Sequence, residues 1–184
     1  EAGKQKPMAG FVPEQVRMLL AAAVSAGNNW IAIKLPLYSD PTVLGDVVDA
    51  ILDIPDINAI DEIVYANAYP NAYLSKIWRD TNGILHTEQA IDYGKGLAGG
   101  GGSANIAMVC GGLRQISTII WGSQIMLTGA GGVSNGYSLA QLLLAGANKV
   151  QVNTAYYKDE DPSVFSTMLT ELADEYPEIA EQFV

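Results

Sequence analysis

The sequence predicts an α/β fold in which a parallel sheet is packed against helices. Two observations lead to this class. Apolar, β-branched runs typical of buried strands alternate with segments whose apolar residues recur at helical spacing. A composition of 49% hydrophobic and 16% charged residues over 184 positions is that of one core-forming domain. We therefore expect residues 1–184 to form a single unit.

The first part of the chain supplies two helix–strand pairs. After a polar opening loop, residues 13–26 carry apolar side chains at helical spacing and begin with a proline suited to a first helical turn. Residues 30–37 are apolar on both faces apart from Lys34, which predicts a buried parallel strand. A capped helix over 42–52 and a strand over 62–68 follow.

A β-hairpin is predicted in the loop after the second strand. Two short alternating runs, 73–78 and 84–90, flank the turn residues 80–83. The whole insertion, about 70–95, is long for a compact domain, and such loops commonly act as lids or oligomer contacts. Trp78 suits either the hairpin core or a dimer contact, and the sequence leaves both open.

The last part of the chain holds a glycine tract and two more strand–helix units. A helix over 104–116 follows the tract. Strands at 125–127 and 149–152 enclose a Leu-rich helix, and a helix over 162–176 closes the chain before a short acidic tail. A whole (β/α)8 barrel needs about twice as many strands and typically about 250 residues. We therefore expect the C-terminal half of a TIM barrel, cut from a longer protein.

A glycine turn in this last part indicates a phosphate site. Gly129, Gly131 and Gly132 would let backbone N–H groups approach an anion, and the helix N-terminus behind them would add a partial positive charge. In a TIM barrel, ligand phosphates commonly lie on the loops after the last two strands, and the second loop here holds Asn153 and Thr154. The alternative is a tight strand–helix turn without a ligand.

Charge and cysteine content restrict the partners. With 20 acidic against 10 basic residues, the formal charge is −10, which repels nucleic-acid backbones and anionic lipid. No apolar run approaches the roughly 20 residues that span a bilayer. A single Cys excludes an intrachain disulfide and is compatible with a reducing compartment. We expect a cytoplasmic protein without nucleic-acid or membrane partners.

Four motifs, in one order, resemble the C-terminal half of the class 1 dihydroorotate dehydrogenases. They are Ile33-Lys34-Leu35-Pro36, Ala66-Asn67-Ala68, Gly96-Leu97-Ala98-Gly99, and the paired segments 128–133 and 150–155. One glycine motif alone is weak evidence, whereas four in register are specific. The hairpin insertion resembles the soluble, homodimeric branch that uses fumarate. The resemblance runs from Gly3-Lys4 to the last helix.

The resemblance implies an FMN cofactor and a set of binding residues. Lys34 would donate to the pyrimidine edge of the flavin, where reduction builds negative charge; the alternative is a lumen lysine paired with a carboxylate. Asn67 would hydrogen-bond the pyrimidine substrate, with Ala68 beside it. The other implied cofactor-binding residues are Ala66, Gly99, Gly131, Gly132, Asn153 and Thr154.

The implied reaction is oxidation of dihydroorotate to orotate, with fumarate as the acceptor. The resemblance places the catalytic Cys base upstream of Glu1, so this chain would hold no catalytic residue and would be inactive alone. Two positions depart from the family pattern: Ala68 replaces a small hydroxyl residue, and Asn153 replaces a Gly beside the phosphate. Cys110 is expected as core packing, and His86 as a surface residue without metal-ligand spacing.

Two alternatives stay open at this point. The missing base and the two departures also fit a non-catalytic, phosphate-binding half-barrel that associates with a second copy of itself. The lost hydroxyl at Ala68 also fits a related flavin barrel that acts on another pyrimidine.

Overall fold

The computed structural model describes residues 8–27, 30–73, 75–89, 97–159 and 161–183. Gly3-Lys4 and Gly96, which contribute to the family resemblance, lie outside these ranges. The strands are β1 Ala32–Leu35, β2 Glu62–Tyr65, β3 Tyr69–Tyr73, β4 Ser75–Arg79, β5 Leu85–Gln89, β6 Leu97–Gly100, β7 Met126–Ala130 and β8 Lys149–Gln151. The α-helices are α1 Pro13–Ser25, α2 Pro41–Leu52, α3 Ile106–Ile119, α4 Gly136–Leu144, α5 Thr154–Asp159, α6 Ser163–Glu175 and α7 Pro177–Phe183.

The central sheet contains four parallel strands in the order β1-β2-β7-β8. Helices connect successive strands, as the alternating sequence pattern requires. The predicted α/β class and parallel sheet are confirmed. Because all four strands point the same way, the loops that follow them meet at one edge of the sheet, and that edge positions the site described below.

The hydrophobic core lies between the sheet and the helices. Leu35, Tyr65 and Leu127 point to this side and are at most 1% exposed. They pack with apolar residues of the helices, including Val47 and Leu142. Burial of such side chains contributes about 1.5–3 kcal/mol each relative to exposure. This layer therefore holds the strands in their places.

The opposite face of the sheet differs from the sequence expectation. Residues 30–37 apart from Lys34 are expected to be buried on both sides, but Ala32 of β1 is exposed. Lys34 of β1 and Lys149 and Gln151 of β8 are exposed as well. The described helices cover only the other face, so the alternate positions of the two outer strands have no apolar layer over them. Strand β1, whose apolar sequence is typical of a strand buried on both faces, is therefore covered by the described helices on one face only.

The predicted hairpin is confirmed. β4 and β5 pair antiparallel, with Trp78 opposite His86. Asp80 accepts hydrogen bonds from the backbone N–H groups of Asn82 and Ile84, both at 2.9 Å, which fixes the turn. The Trp78 and His86 rings stack with their centroids 5.4 Å apart. Trp78 thus packs within the hairpin and is still 45% exposed.

Several elements were not expected from the sequence. β3 pairs antiparallel with β6, so part of the glycine tract is a strand. The short helix α5 begins at Thr154, with two residues between it and the end of β8, and α7 occupies the segment expected as an acidic tail. Of the apolar residues at helical spacing in the first helix, Leu19 is 61% exposed, whereas Leu20 is buried.

Candidate functional site

A cavity of about 690 Å³ lies at the edge of the sheet where the parallel strands end. The positions predicted from the sequence that line it are Lys34, Ala66, Asn67, Ala68, Gly131, Gly132, Asn153 and Thr154. Gly99, the remaining predicted position, lies in β6 two residues before Gly101, which lines the cavity. One strand, β1, and three loops thus bring the predicted residues together at one place, the carboxyl edge of a parallel sheet, where barrel enzymes hold their ligands.

The glycine turn after β7 is suited to an anion. Gly131 and Gly132 have φ angles of 114° and 85°, a region that side chains rarely adopt. A Cβ on Gly132 would lie 2.9 Å from the Cα of Ile106, so the turn has no room for a side chain there. The backbone N–H groups of Gly131 and Gly132 have no hydrogen-bond partner within the described part of the chain. Successive free N–H groups of this kind form a nest for an anion.

The helix behind the turn contributes less than the sequence suggested. Asn135 caps α4 by accepting from the Ser138 N–H at 2.9 Å, and Glu171 of α6 accepts from the Gly136 N–H at 2.6 Å. These bonds satisfy two of the helix's free N-terminal donors, and the Glu171 carboxylate offsets the partial positive charge. An anion in the cavity would therefore be held by the glycine turn rather than by the start of α4.

The loop after β8 faces the glycine turn. Asn153 follows the strand, and Thr154 begins the short helix α5. The Oγ1 atom of Thr154 lies 4.0 Å from the position that a Cβ on Gly101 would take, so the second glycine segment lies against this hydroxyl. The hydroxyl of Thr154 and the N–H groups of Gly131 and Gly132 thus border one space.

Lys34 gives the cavity its charge. Among the described residues that line the cavity, it is the only charged one, although the whole chain carries a formal charge of −10. Its Nζ lies 3.4 Å from Oε1 of Gln151. The expected alternative for Lys34 was a pair with a carboxylate, and the partner seen here is a neutral amide. Among the described residues, no carboxylate forms an ion pair with Lys34, and such a cation favours an anionic or electron-rich ligand.

Asn67 is held by its own loop. Its Oδ1 accepts a hydrogen bond from the backbone N–H of Ala68 at 2.9 Å. A backbone N–H can only donate, so the oxygen of the amide must face it and the NH2 group is left for a ligand. The next side chain, Ala68, offers only a methyl group. This end of the cavity therefore presents donors, which suits carbonyl or carboxylate oxygens.

Sequence reasoning missed part of the lining. The residues concerned are Gly101, Gly102, Asn105, Val109, Ala130, Val133, Gln151 and Val152. Gln151 carried a usable signal, because it lies at strand spacing from Lys149 and directly before the predicted loop. Gly101 and Gly102 belong to the glycine tract, and their position at the cavity becomes visible only in the folded chain.

Two reactive side chains lie outside this cavity. Cys110 is half-buried in α3 and packs against the core, and burial raises the pKa of its thiol. A raised pKa makes it a poor thiolate, so the structural role expected for it is supported. His86 contacts Asp80 at 3.2 Å on the hairpin. Among the described residues, no group of three or more His, Cys, Asp or Glu side chains is arranged to hold a metal ion.

Comparison with known proteins gives a consistent result. No family model matches the chain. Dihydroorotate dehydrogenase A (fumarate) of Lactococcus lactis subsp. cremoris is 26% identical over 173 residues, which is 92% of this chain and 50% of that protein. The putative dihydroorotate dehydrogenase A (fumarate) of Streptococcus equi subsp. equi is 29% identical over 172 residues, again 92% and 50%. The predicted family resemblance is confirmed. The chain spans about half the length of the curated relatives it matches.

Solved structures support the fold. A crystal structure of DHODH from Eimeria tenella in complex with ferulenol matches with a TM-score of 0.57 and 18% identity, covering 82% of this chain and 36% of that one. The ligand-free form from the same organism gives a TM-score of 0.56 at 20% identity. At these identities the likeness concerns the fold alone. The α/β fold with part of a barrel, expected from the sequence, is confirmed.

Within the described ranges, none of the helices combines the length and the apolar character that crossing a bilayer would require.

Proposed function

We propose that the protein takes part in the FMN-dependent oxidation of dihydroorotate to orotate, a step of pyrimidine biosynthesis, with fumarate as the acceptor. The single observation that supports this most is the cavity at the carboxyl edge of the sheet, where the only charged lining residue among those described is Lys34 and the glycine turn offers free N–H groups. The relatives named above supply the reaction.

The residues present fit FMN. Gly131 and Gly132 leave their N–H groups open, and a Cβ at either position would come within 3.3 Å of a neighbouring residue. In this proposal these N–H groups and the Thr154 hydroxyl hold the phosphate, while Lys34 faces the pyrimidine edge of the flavin. Ala66, Gly99 and Asn153 border the cofactor. When bound, FMN supplies the hydride acceptor that the reaction needs.

The chain's own residues bind and orient the substrate. Asn67 offers its NH2 group to a carbonyl or carboxylate oxygen of the pyrimidine, since its own oxygen is engaged by Ala68. The ammonium of Lys34 stabilises negative charge that develops nearby. We assign no general base to the described residues, because the sequence holds one Cys and Cys110 is half-buried in a helix away from the cavity.

Homodimerisation and a cytoplasmic location are part of this proposal. The hairpin supports the first, because Ile77, Trp78, Ile84 and Leu85 are all at least 45% exposed there. Apolar groups concentrated on a projecting element favour contact with a partner.

The direct test is to purify the protein and release its cofactor by denaturation. We expect FMN in the supernatant of the 184-residue chain. Bleaching of the bound flavin by dihydroorotate, and recovery of the colour on addition of fumarate, are expected only where a polypeptide that supplies the general base is also present. An assay with uracil in place of dihydroorotate tests the alternative of a flavin barrel that acts on another pyrimidine. This alternative arises because the methyl group of Ala68 cannot form a hydrogen bond with the substrate. A protein that binds no FMN at any concentration would contradict the proposal.

A second candidate is a phosphate-binding half-barrel that pairs with a copy of itself. The observation that favours it is the uncovered face of the sheet, where Ala32, Lys34, Lys149 and Gln151 are exposed on the two outer strands. Sedimentation of the 184-residue chain, combined with titration of FMN and of inorganic phosphate, separates the candidates. A dimer that binds inorganic phosphate but not FMN supports the second, and a monomer removes it.

A further inference from the structure

Gln151 and Lys34 meet across the whole width of the central sheet. β1, which carries Lys34, and β8, which carries Gln151, are its two outer strands. Neighbouring strands lie about 4.8 Å apart, so three such steps separate these two strands by about 14 Å. The Lys34 Nζ nevertheless lies 3.4 Å from Gln151 Oε1. Both side chains therefore extend toward each other over the face that the helices leave uncovered.

The pairing keeps the positive charge of Lys34. An ammonium group has three N–H donors, and the amide oxygen of Gln151 engages one of them. Because an amide is neutral, the net charge at this point stays positive, whereas a carboxylate of the same shape would cancel it. At 3.4 Å the bond is longer than the usual 2.7–3.2 Å. The amide thus directs the ammonium while leaving it available to a ligand.

We propose that Gln151 is a positioning residue, which holds the ammonium of Lys34 over the cavity so that it faces the electron-rich edge of the bound ligand. Both residues line the cavity. Without Gln151, the four-carbon stem of Lys34 would move among rotamers on an exposed surface. This inference rests on the proposed FMN site, and it concerns how that site is kept in its charged, oriented form.

Three variants test it. Gln151→Met keeps the length of the side chain and removes the acceptor. Gln151→Glu keeps the shape and adds a negative charge. Lys149→Met is the matched control, because it removes a positive charge from the same strand at a residue that contacts the Trp30 ring, 5.6 Å from its centroid, and does not line the cavity.

The first readout is the midpoint potential of bound FMN, which reports how much more tightly the reduced flavin is bound than the oxidised one. Gln151→Glu should lower that preference about tenfold, which for a two-electron couple is about 30 mV. Gln151→Met should lower it several-fold, and Lys149→Met should leave it unchanged. Identical potentials in wild type and Gln151→Glu would overturn the inference.

The second readout needs no flavin. The side-chain ¹⁵N signal of Lys34, recorded on the full chain, should show slowed proton exchange and a nuclear Overhauser contact to the Gln151 amide. Both should disappear in Gln151→Met and persist in Lys149→Met. If the protein binds no FMN, the proposed function fails and this experiment alone decides the inference; a Lys34 signal that is the same in Gln151→Met and wild type overturns it.

Discussion

The two faces of the central sheet differ in what they hold. On the side of the helices, Leu35, Tyr65 and Leu127 are almost fully buried. Their close packing makes this side sensitive to any change of side-chain volume. On the other side, the outer strands expose Lys34 and Gln151, and the inner strands carry polar as well as apolar residues, as in the hydrogen bond that Thr128 donates to Glu62 beside Val64.

The difference teaches how one sheet separates stability from binding. Alternate residues of the same strand point to opposite sides, so a change at one position and a change at the next act on different properties. Loss of an apolar group on the helix side should cost folding free energy, whereas loss of a polar group on the other side should cost ligand affinity. The predictions below test this separation.

The largest effect is expected for Leu127→Ala. Leu127 is 1% exposed between the sheet and the helices, and removal of a buried leucine side chain typically costs about 2–5 kcal/mol. Denaturant titration should show this loss in the free energy of unfolding. The control Ala32→Ser, at an exposed position on the opposite face, should change it by no more than about 0.5 kcal/mol. Similar losses in both variants would mean that the two faces are not distinct.

Gly132→Ala should combine a smaller stability loss with a loss of anion binding. The new Cβ meets the Ile106 backbone at 2.9 Å and forces a left-handed φ on alanine, a strain of about 1–3 kcal/mol. Gly122→Ala is the matched control, because Gly122 has a φ of 83° but no atom within 4 Å of its added Cβ. Isothermal titration with FMN should show weakened binding for Gly132→Ala only. Equal weakening in both would assign the effect to general strain.

Lys34→Met should affect binding and leave folding nearly unchanged. Lys34 is exposed on the uncovered face, so its removal costs little packing. It is also the only charged side chain lining the cavity in the described chain, and its loss should weaken FMN binding about tenfold, or about 1.4 kcal/mol. A drop in thermal stability comparable to that of Leu127→Ala, without any loss of affinity, would contradict this role.

The smallest expected effect is a pH response confined to the hairpin. The hydrogen bond from His86, followed by that from the Ile84 N–H, holds the pKa of Asp80 below its ordinary value. A carboxyl with a depressed pKa in the folded state stabilises the turn at pH above its unfolded pKa, and that contribution is lost as pH falls through the folded value. Trp78 fluorescence should therefore change below about pH 4, and Asp80→Asn should remove the transition. A transition unchanged in Asp80→Asn would refute this origin.

The sequence was sufficient for the periodic elements and for the glycine turn. The helix begun by Pro13 and the hairpin around Gly83 depend on local signals, which a sequence displays directly. The pairing of β3 with β6 was missed because it joins segments far apart in a glycine-rich stretch that has no strand periodicity. The helix α5 was missed because Thr154, Tyr156 and Tyr157 favour strands, and the fold overrides that preference.

The site was predictable in its residues and less so in its contacts. Lys34, Asn67 and Thr154 could be placed at strand ends because parallel strands end at one edge. The contact between Gln151 and Lys34 depends on which strands become the two edge strands of the sheet. No local sequence pattern encodes the order of the strands. Likewise, Glu171 accepts a hydrogen bond at the N-terminus of α4 from a helix more than 30 residues away in sequence. The sequence therefore did not reveal that this helix end is already occupied and does not bind an anion.

The most direct measurement compares the affinity of the protein for FMN and for riboflavin, which differ only in the phosphate. If the glycine turn and Thr154 hold that phosphate, FMN should bind at least about tenfold more tightly, a difference of about 1.4 kcal/mol, and Gly132→Ala should abolish the difference. Equal affinities for the two flavins in the wild-type protein would contradict the account, because the cavity would then have no phosphate site.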